Sequence, residues 1–188
     1  MEKTSVAGLC AAVIGISASG ALAQEAPVPF KAPAEGTVLE YVRSSGKERT
    51  VTVDKVEGPV MILNGGATRY ISFGPGLDKN GSITDEEIQK IAAIFPLEVG
   101  KKVTSGHTYH GRSIQGTTDT LEVLSAGEIT VPAGTFKTWV IKTSMYNAFW
   151  NGRSTCWYAP QIGYCAKTSF EDNNGDRWTQ ELKSVKAP

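Results

Sequence analysis

The chain has 188 residues, with 19 basic and 19 acidic side chains, a formal net charge of zero, two histidines and three cysteines. Near-neutral charge without a basic block excludes a nucleic-acid surface and argues against an anionic membrane as partner. The length fits one domain with enough residues to build a real core.

Residues 1–23 read as a cleaved secretory signal. Lys3 precedes an apolar run from Val6 to about Ile16, and small residues around Ala21 and Ala23 end the segment before Gln24. A spanning helix needs about 20 mostly apolar residues, more than this run supplies, so no transmembrane segment is expected after cleavage. Cys10 lies inside the run behind the bulky Leu9, where lipoprotein signals carry a small residue, so no lipid anchor is expected. The predicted address is periplasmic or secreted. Residues 24–36 are rich in Ala and Pro with only Val28 and Phe30 to bury, which predicts an extended, mostly unpacked arm.

From residue 37 to 188 the pattern predicts a single antiparallel β domain. Short alternating segments are cut by turn signals, with candidate strands at 37–43, 48–56, 60–64, 69–73, 101–110, 117–124, 128–131, 136–146, 154–159, 162–171 and 177–185. The fold class is mainly β: a curved antiparallel sheet of about ten strands, forming a partial barrel or a sandwich, with one short α-helix. That helix is expected over about 85–95, where Ile88, Ile91, Ala92 and Phe95 recur at helical spacing. Thr84 and Glu87 make a capping box, and Pro96 stops the helix.

The last hairpin can be registered from side chains alone. A three-residue loop with Gly175 at the left-handed position sets Phe170 opposite Trp178, Ala166 opposite Leu182, Glu171 opposite Arg177 and Lys167 opposite Glu181. Each such pair contributes roughly 0.2–1 kcal/mol, and a two-residue Asn-Gly loop would lose both charge pairs. Pairing Cys156 directly with Cys165 in the preceding hairpin sets Trp157 opposite Tyr164. Trp157 then joins Phe170, Trp178 and Leu182 in the core, and both cysteines face outward with Lys167 and Glu181. A disulfide closing so short a loop adds roughly 2–3 kcal/mol and belongs to a non-reducing compartment. The spacing is not CxxC, which disfavours a redox or metal pair.

Two segments carry a resemblance. Residues 129–136 (ITVPAGTF) and 157–163 (WYAPQIG) resemble a signature of a large, functionally uncharacterised group of exported bacterial β domains and lipoproteins. In that group a VPAG hairpin precedes a WYAPxxG hairpin and a final charged hairpin. The resemblance runs from about Phe95 to the end and implies fold and compartment, with no catalytic residues to carry over. This chain departs from the group by lacking a lipid-anchor cysteine and by adding Cys156 and Cys165. At the level of architecture it is also similar to periplasmic lipoprotein carriers, whose curved sheet, covered by helix, holds acyl chains.

Residues 76–87 (GLDKNGSITDEE) resemble an EF-hand loop. Asp78, Asn80, Ser82, Thr84 and Glu87 are the candidate oxygen ligands for Ca²⁺, with Gly81 at the sharp turn. Gly76 stands where the first acidic ligand belongs, and an ordinary turn capped by Thr84 explains the same residues. His107 and His110 are three apart and point to opposite faces of a strand, so a shared metal would need a bulge. No catalytic motif occurs in the mature chain.

Phe149, Trp150 and Tyr158 are the candidate binding surface: the first two flank an expected Asn151-Gly152 turn, and Tyr158 lies opposite the expected core. Three readings follow. The first is a non-enzymatic exported module that binds a small apolar ligand or an envelope partner and needs no cofactor. The second is a calcium-stabilised structural module built on residues 76–87. The third is a hydrolase assembled around His107 or His110.

Overall fold

The computed structural model describes residues 26–66, 68–71, 84–107 and 117–188. In chain order the elements are β1 (Val38–Arg43), β2 (Glu48–Glu57), β3 (Val60–Leu63), β4 (Thr68–Ile71), α1 (Asp85–Ala92), β5 (Lys102–His107), β6 (Thr117–Val131), β7 (Gly134–Tyr146), β8 (Asn151–Ala159), β9 (Tyr164–Asp172) and β10 (Arg177–Lys186). The ten strands form one open antiparallel sheet in the order β4-β3-β2-β1-β10-β9-β8-β7-β6-β5. Consecutive strands thus lie side by side within β1–β4 and within β5–β10, and β1 joins the two runs by pairing with β10. The meander breaks once, between β4 and β5. The expected sandwich is therefore ruled out, and the partial barrel takes the form of a curved, unclosed sheet.

One contiguous cluster fills the core, including Leu39, Tyr41, Val51, Met61, Leu121, Ile141, Tyr158 and Leu182, each fully buried. Helix α1 adds Ile88 and Ile91 to it, followed by Ile94 and Leu97. Its start is fixed by reciprocal capping: Thr84 Oγ1 accepts from Glu87 N, and the Glu87 carboxylate accepts from Thr84 N at 2.7 Å. The helix is shorter than expected. After Ala92, the amides of Ile94 and Phe95 bond back three residues to Ile91 and Ala92, the tighter winding that ends a helix before a proline.

Residues 117–124 and 128–131, expected as two strands, are one. Val123 faces Ile141 and Ser125 faces Val140, so Leu124 is the unpaired extra residue of a bulge that bends β6 without ending it. This lets the β6–β7 hairpin, turned at Pro132 and Ala133, reach back over the sheet to β10, where Ala133 N donates to Leu182 O at 3.0 Å. Val131 is buried by the crossing.

Residues 26–36 are extended, yet they pack as a strap. Val28 and Leu97 exchange both backbone hydrogen bonds, Phe30 sets its ring edge-on to Phe95, and Lys31 O accepts from the Tyr158 hydroxyl at 2.9 Å. Gly163 lies beneath: a Cβ there would come within 2.5 Å of both Lys31 O and Pro33 N, and its φ is +65°. Only glycine meets both demands.

The final hairpin has the register its side chains dictate. Phe170 faces Trp178, Glu171 faces Arg177 and Lys167 faces Glu181, the last pair bridged at 2.7 Å. The hairpin before it differs from expectation. Tyr158 faces Cys165, while Trp157 faces Lys167 and Cys156 faces Thr168, because the register shifts by one residue at Ala166. The cysteines are bonded diagonally, with Cα atoms 5.4 Å apart, and both are buried. Trp157 and Tyr158 thereby exchange faces. Trp157 lies on the outer side beneath the Lys167 ammonium, 5.6 Å from its ring centre, and Tyr158 fills the core.

Candidate functional site

The end of the sheet that carries the β7–β8 and β9–β10 turns is lined with aromatic rings. Trp178 and Phe170 stack with centroids 5.5 Å apart, and Phe170 and Trp150 stack at 6.4 Å. The Arg43 guanidinium covers Trp178 at 4.7 Å, and the other end of the ladder rests on Gly152, where a Cβ would stand 2.6 Å from the Trp150 ring. Trp150 Nε1 donates to Asp172 Oδ2 at 2.9 Å. That bond, followed by three backbone amides of the turn, holds the Asp172 carboxyl below the usual carboxylate range.

The ladder fixes a turn at 147–150, not at the expected Asn151-Gly152, which opens β8. Asn147 Oδ1 accepts from both Phe149 N and Trp150 N, and Asn147 N donates to Trp150 O, each at 2.9 Å. The neighbouring turn braces it through Asn151 N to Asn173 Oδ1 and Asn173 N to Asn151 O, both at 3.0 Å. On this fixed turn Tyr146 and Phe149 stand out, 63% and 77% exposed. Around them Glu171 accepts from Arg177 at 3.1 Å and lies 3.5 Å from Arg153, a charged rim with its pairs internally matched.

The three residues expected to form a binding surface therefore separate. Phe149 is exposed, Trp150 folds back into the ladder, and Tyr158 is a correction: it is fully buried. Burial pushes the Tyr158 hydroxyl up to about 12, so it stays protonated and keeps donating to Lys31. Of the candidate calcium ligands, Thr84 and Glu87 face each other in the capping box, whereas Asp78, Asn80 and Ser82 lie outside the described residues. Among the described residues no cluster of three His, Cys, Asp or Glu side chains is placed to hold a metal. His107 ends β5, and His110 lies outside the described residues. No helix among the described residues is long and apolar enough to cross a membrane.

Sequence reasoning missed a polar patch on the inner sheet face beside the ladder. Thr143, Ser154, Phe170 and Trp178 stand in one cross-strand row, and Ile141, Cys156, Thr168 and Gln180 in the next. Thr143 and Gln180 are buried. The available signal was polar residues at the inward phase of β7 and β10, visible only once the register is known.

What the fold and this end define is a single-sheet antiparallel β domain with an aromatic terminus. The chain matches no protein-family model and no curated protein. Among solved structures it is similar to a protein described as exported, with a YmcC-like fold, from Bacteroides fragilis NCTC 9343, at 14% identity and a TM-score of 0.43, covering 85% of this chain and 99% of that one. It is also similar to the hypothetical lipoprotein YmcC from Escherichia coli K12, at 10% identity and a TM-score of 0.44, covering 82% and 86% respectively.

Proposed function

We propose that the chain is a non-enzymatic binding module of the bacterial envelope that engages a protein partner through the 146–150 turn. The observation that carries this reading is the pair of exposed rings, Tyr146 and Phe149, on a turn whose amides, indole and neighbouring loop are all tied down. Exposed aromatic rings on a rigid support lose little conformational freedom on docking, which is the chemistry of an interface anchor. The turn projects from the sheet, so the rings fit a concave apolar pocket on the partner, with the Arg153–Glu171–Arg177 group as polar rim. The buried cysteine pair supports a non-reducing compartment.

The test places a photo-crosslinking side chain at position 149 and, as a control, at the exposed Lys137 in cells that make the protein. We expect one saturable crosslinked species from 149 that excess wild-type domain competes away and Phe149→Ser domain does not. Equal crosslinking from positions 149 and 137, or equal competition by the variant, would overturn the reading.

A further inference from the structure

We propose a second, internal site: the inner sheet face around Gln180 and Phe170 binds a small neutral ring compound carrying a hydroxyl group. In a sealed core this face would be apolar. Here the two rows beside the ladder hold Thr143, Ser154, Thr168 and Gln180 among the rings of Phe170 and Trp178. Gln180 Oε1 and Thr143 Oγ1 are buried without a hydrogen-bond partner among the described residues. Buried polar atoms of native proteins are nearly always matched, so two orphans on one inner face mark a place where something else supplies the partner. Ser154, Thr168, Phe170 and Trp178 are only half-buried, so the face opens to solvent at the aromatic end.

The chemistry of the lining defines the ligand. Gln180 Oε1 only accepts, so the ligand must donate to it. Phe170 sits diagonally across the strand pair from Gln180, about 7–8 Å away, the reach of a single ring bearing a hydroxyl. The aromatic side chains favour a flat apolar body. Arg43 faces Gln180 in the register with its guanidinium laid over Trp178, and Asp119 and Asp172 lie in the row beyond Thr143 and Phe170, so charges stand at the margin of the site; the two rows themselves carry none, and a neutral ligand avoids the penalty of burying an ion.

The probes are phenol, which can donate to Gln180, and toluene, which cannot. Phenol is expected to shift the tryptophan emission saturably at millimolar concentration, with toluene bound about five-fold more weakly, the worth of one hydrogen bond. Gln180→Met keeps the shape, removes the acceptor and should bring phenol to the toluene level while the urea midpoint holds or rises, because an orphan acceptor is lost. The phenol–toluene comparison on the wild-type chain stands even if that variant fails to fold. Equal affinity for the two probes, no saturable response to phenol, or unchanged phenol binding by a folded Gln180→Met would overturn the proposal.

Discussion

Gly163→Ala should act at a distance, by lifting the 26–36 strap from the sheet. The left-handed φ of +65° costs an alanine about 1–2 kcal/mol. The added Cβ would stand 2.5 Å from Lys31 O, so the strap must move and the Tyr158–Lys31 hydrogen bond is lost, a further ~1 kcal/mol. The expected total is about 2–3 kcal/mol. Tyr158→Phe alone removes only the hydrogen bond, about 1 kcal/mol. If Gly163→Ala already breaks that bond, the double variant should lose no more than Gly163→Ala does, a coupling of about 1 kcal/mol in a double-mutant cycle. Urea titrations followed by tryptophan fluorescence measure all four stabilities. Strict additivity, or a Gly163→Ala cost confined to the backbone penalty, would refute the claim that Gly163 exists to let the strap lie flat.

Replacing both Cys156 and Cys165 by serine frees a loop with a sequence separation of 9, which should cost about 2–3 kcal/mol and lower the melting temperature by roughly 5–10 °C in a calorimetric scan. No change would mean that the bridge is dispensable to folding. Asp172→Asn should destabilise most at neutral pH. The folded carboxyl titrates below its unfolded value, so its contribution is present above the unfolded pKa and fades as pH falls through the folded one. The gap between the urea midpoints of wild type and variant should shrink between pH 7 and pH 3. A constant gap would show that the Trp150 bond does not favour the charged form.

The final hairpin was legible because the Phe170–Trp178, Glu171–Arg177 and Lys167–Glu181 pairs agree on one register and a shift by one residue would break all three. The Cys hairpin was not, since two cysteines near a turn invite direct pairing, whereas the extra residue at Ala166 lets them bond diagonally and turns Tyr158 inward. Nothing local announces such a bulge, and the Tyr158 hydroxyl that it turns inward finds its partner, Lys31 O, 127 positions away. The same limit hid the strap, because an Ala- and Pro-rich arm looks unpacked until Leu97 and Gly163 are brought to it. At the candidate site the composition gave Phe149 and Trp150 as a pair. Their separation into an exposed ring and a folded-back one depends on Asp172 and Phe170, which another hairpin supplies.

The ladder between β1 and β10 has a consequence for the order of assembly. Glu40 and Ser184 meet across 144 positions, so the middle of the sheet can form only after nearly the whole chain has been released. The local hairpins β6–β7 and β9–β10 can zip as soon as they emerge, whereas β1 must wait with one backbone edge unpaired. A newly made chain thus passes through a stage in which its earliest strand is a sticky edge, and a holdase that shields residues 38–43 would guard it against pairing with its copies.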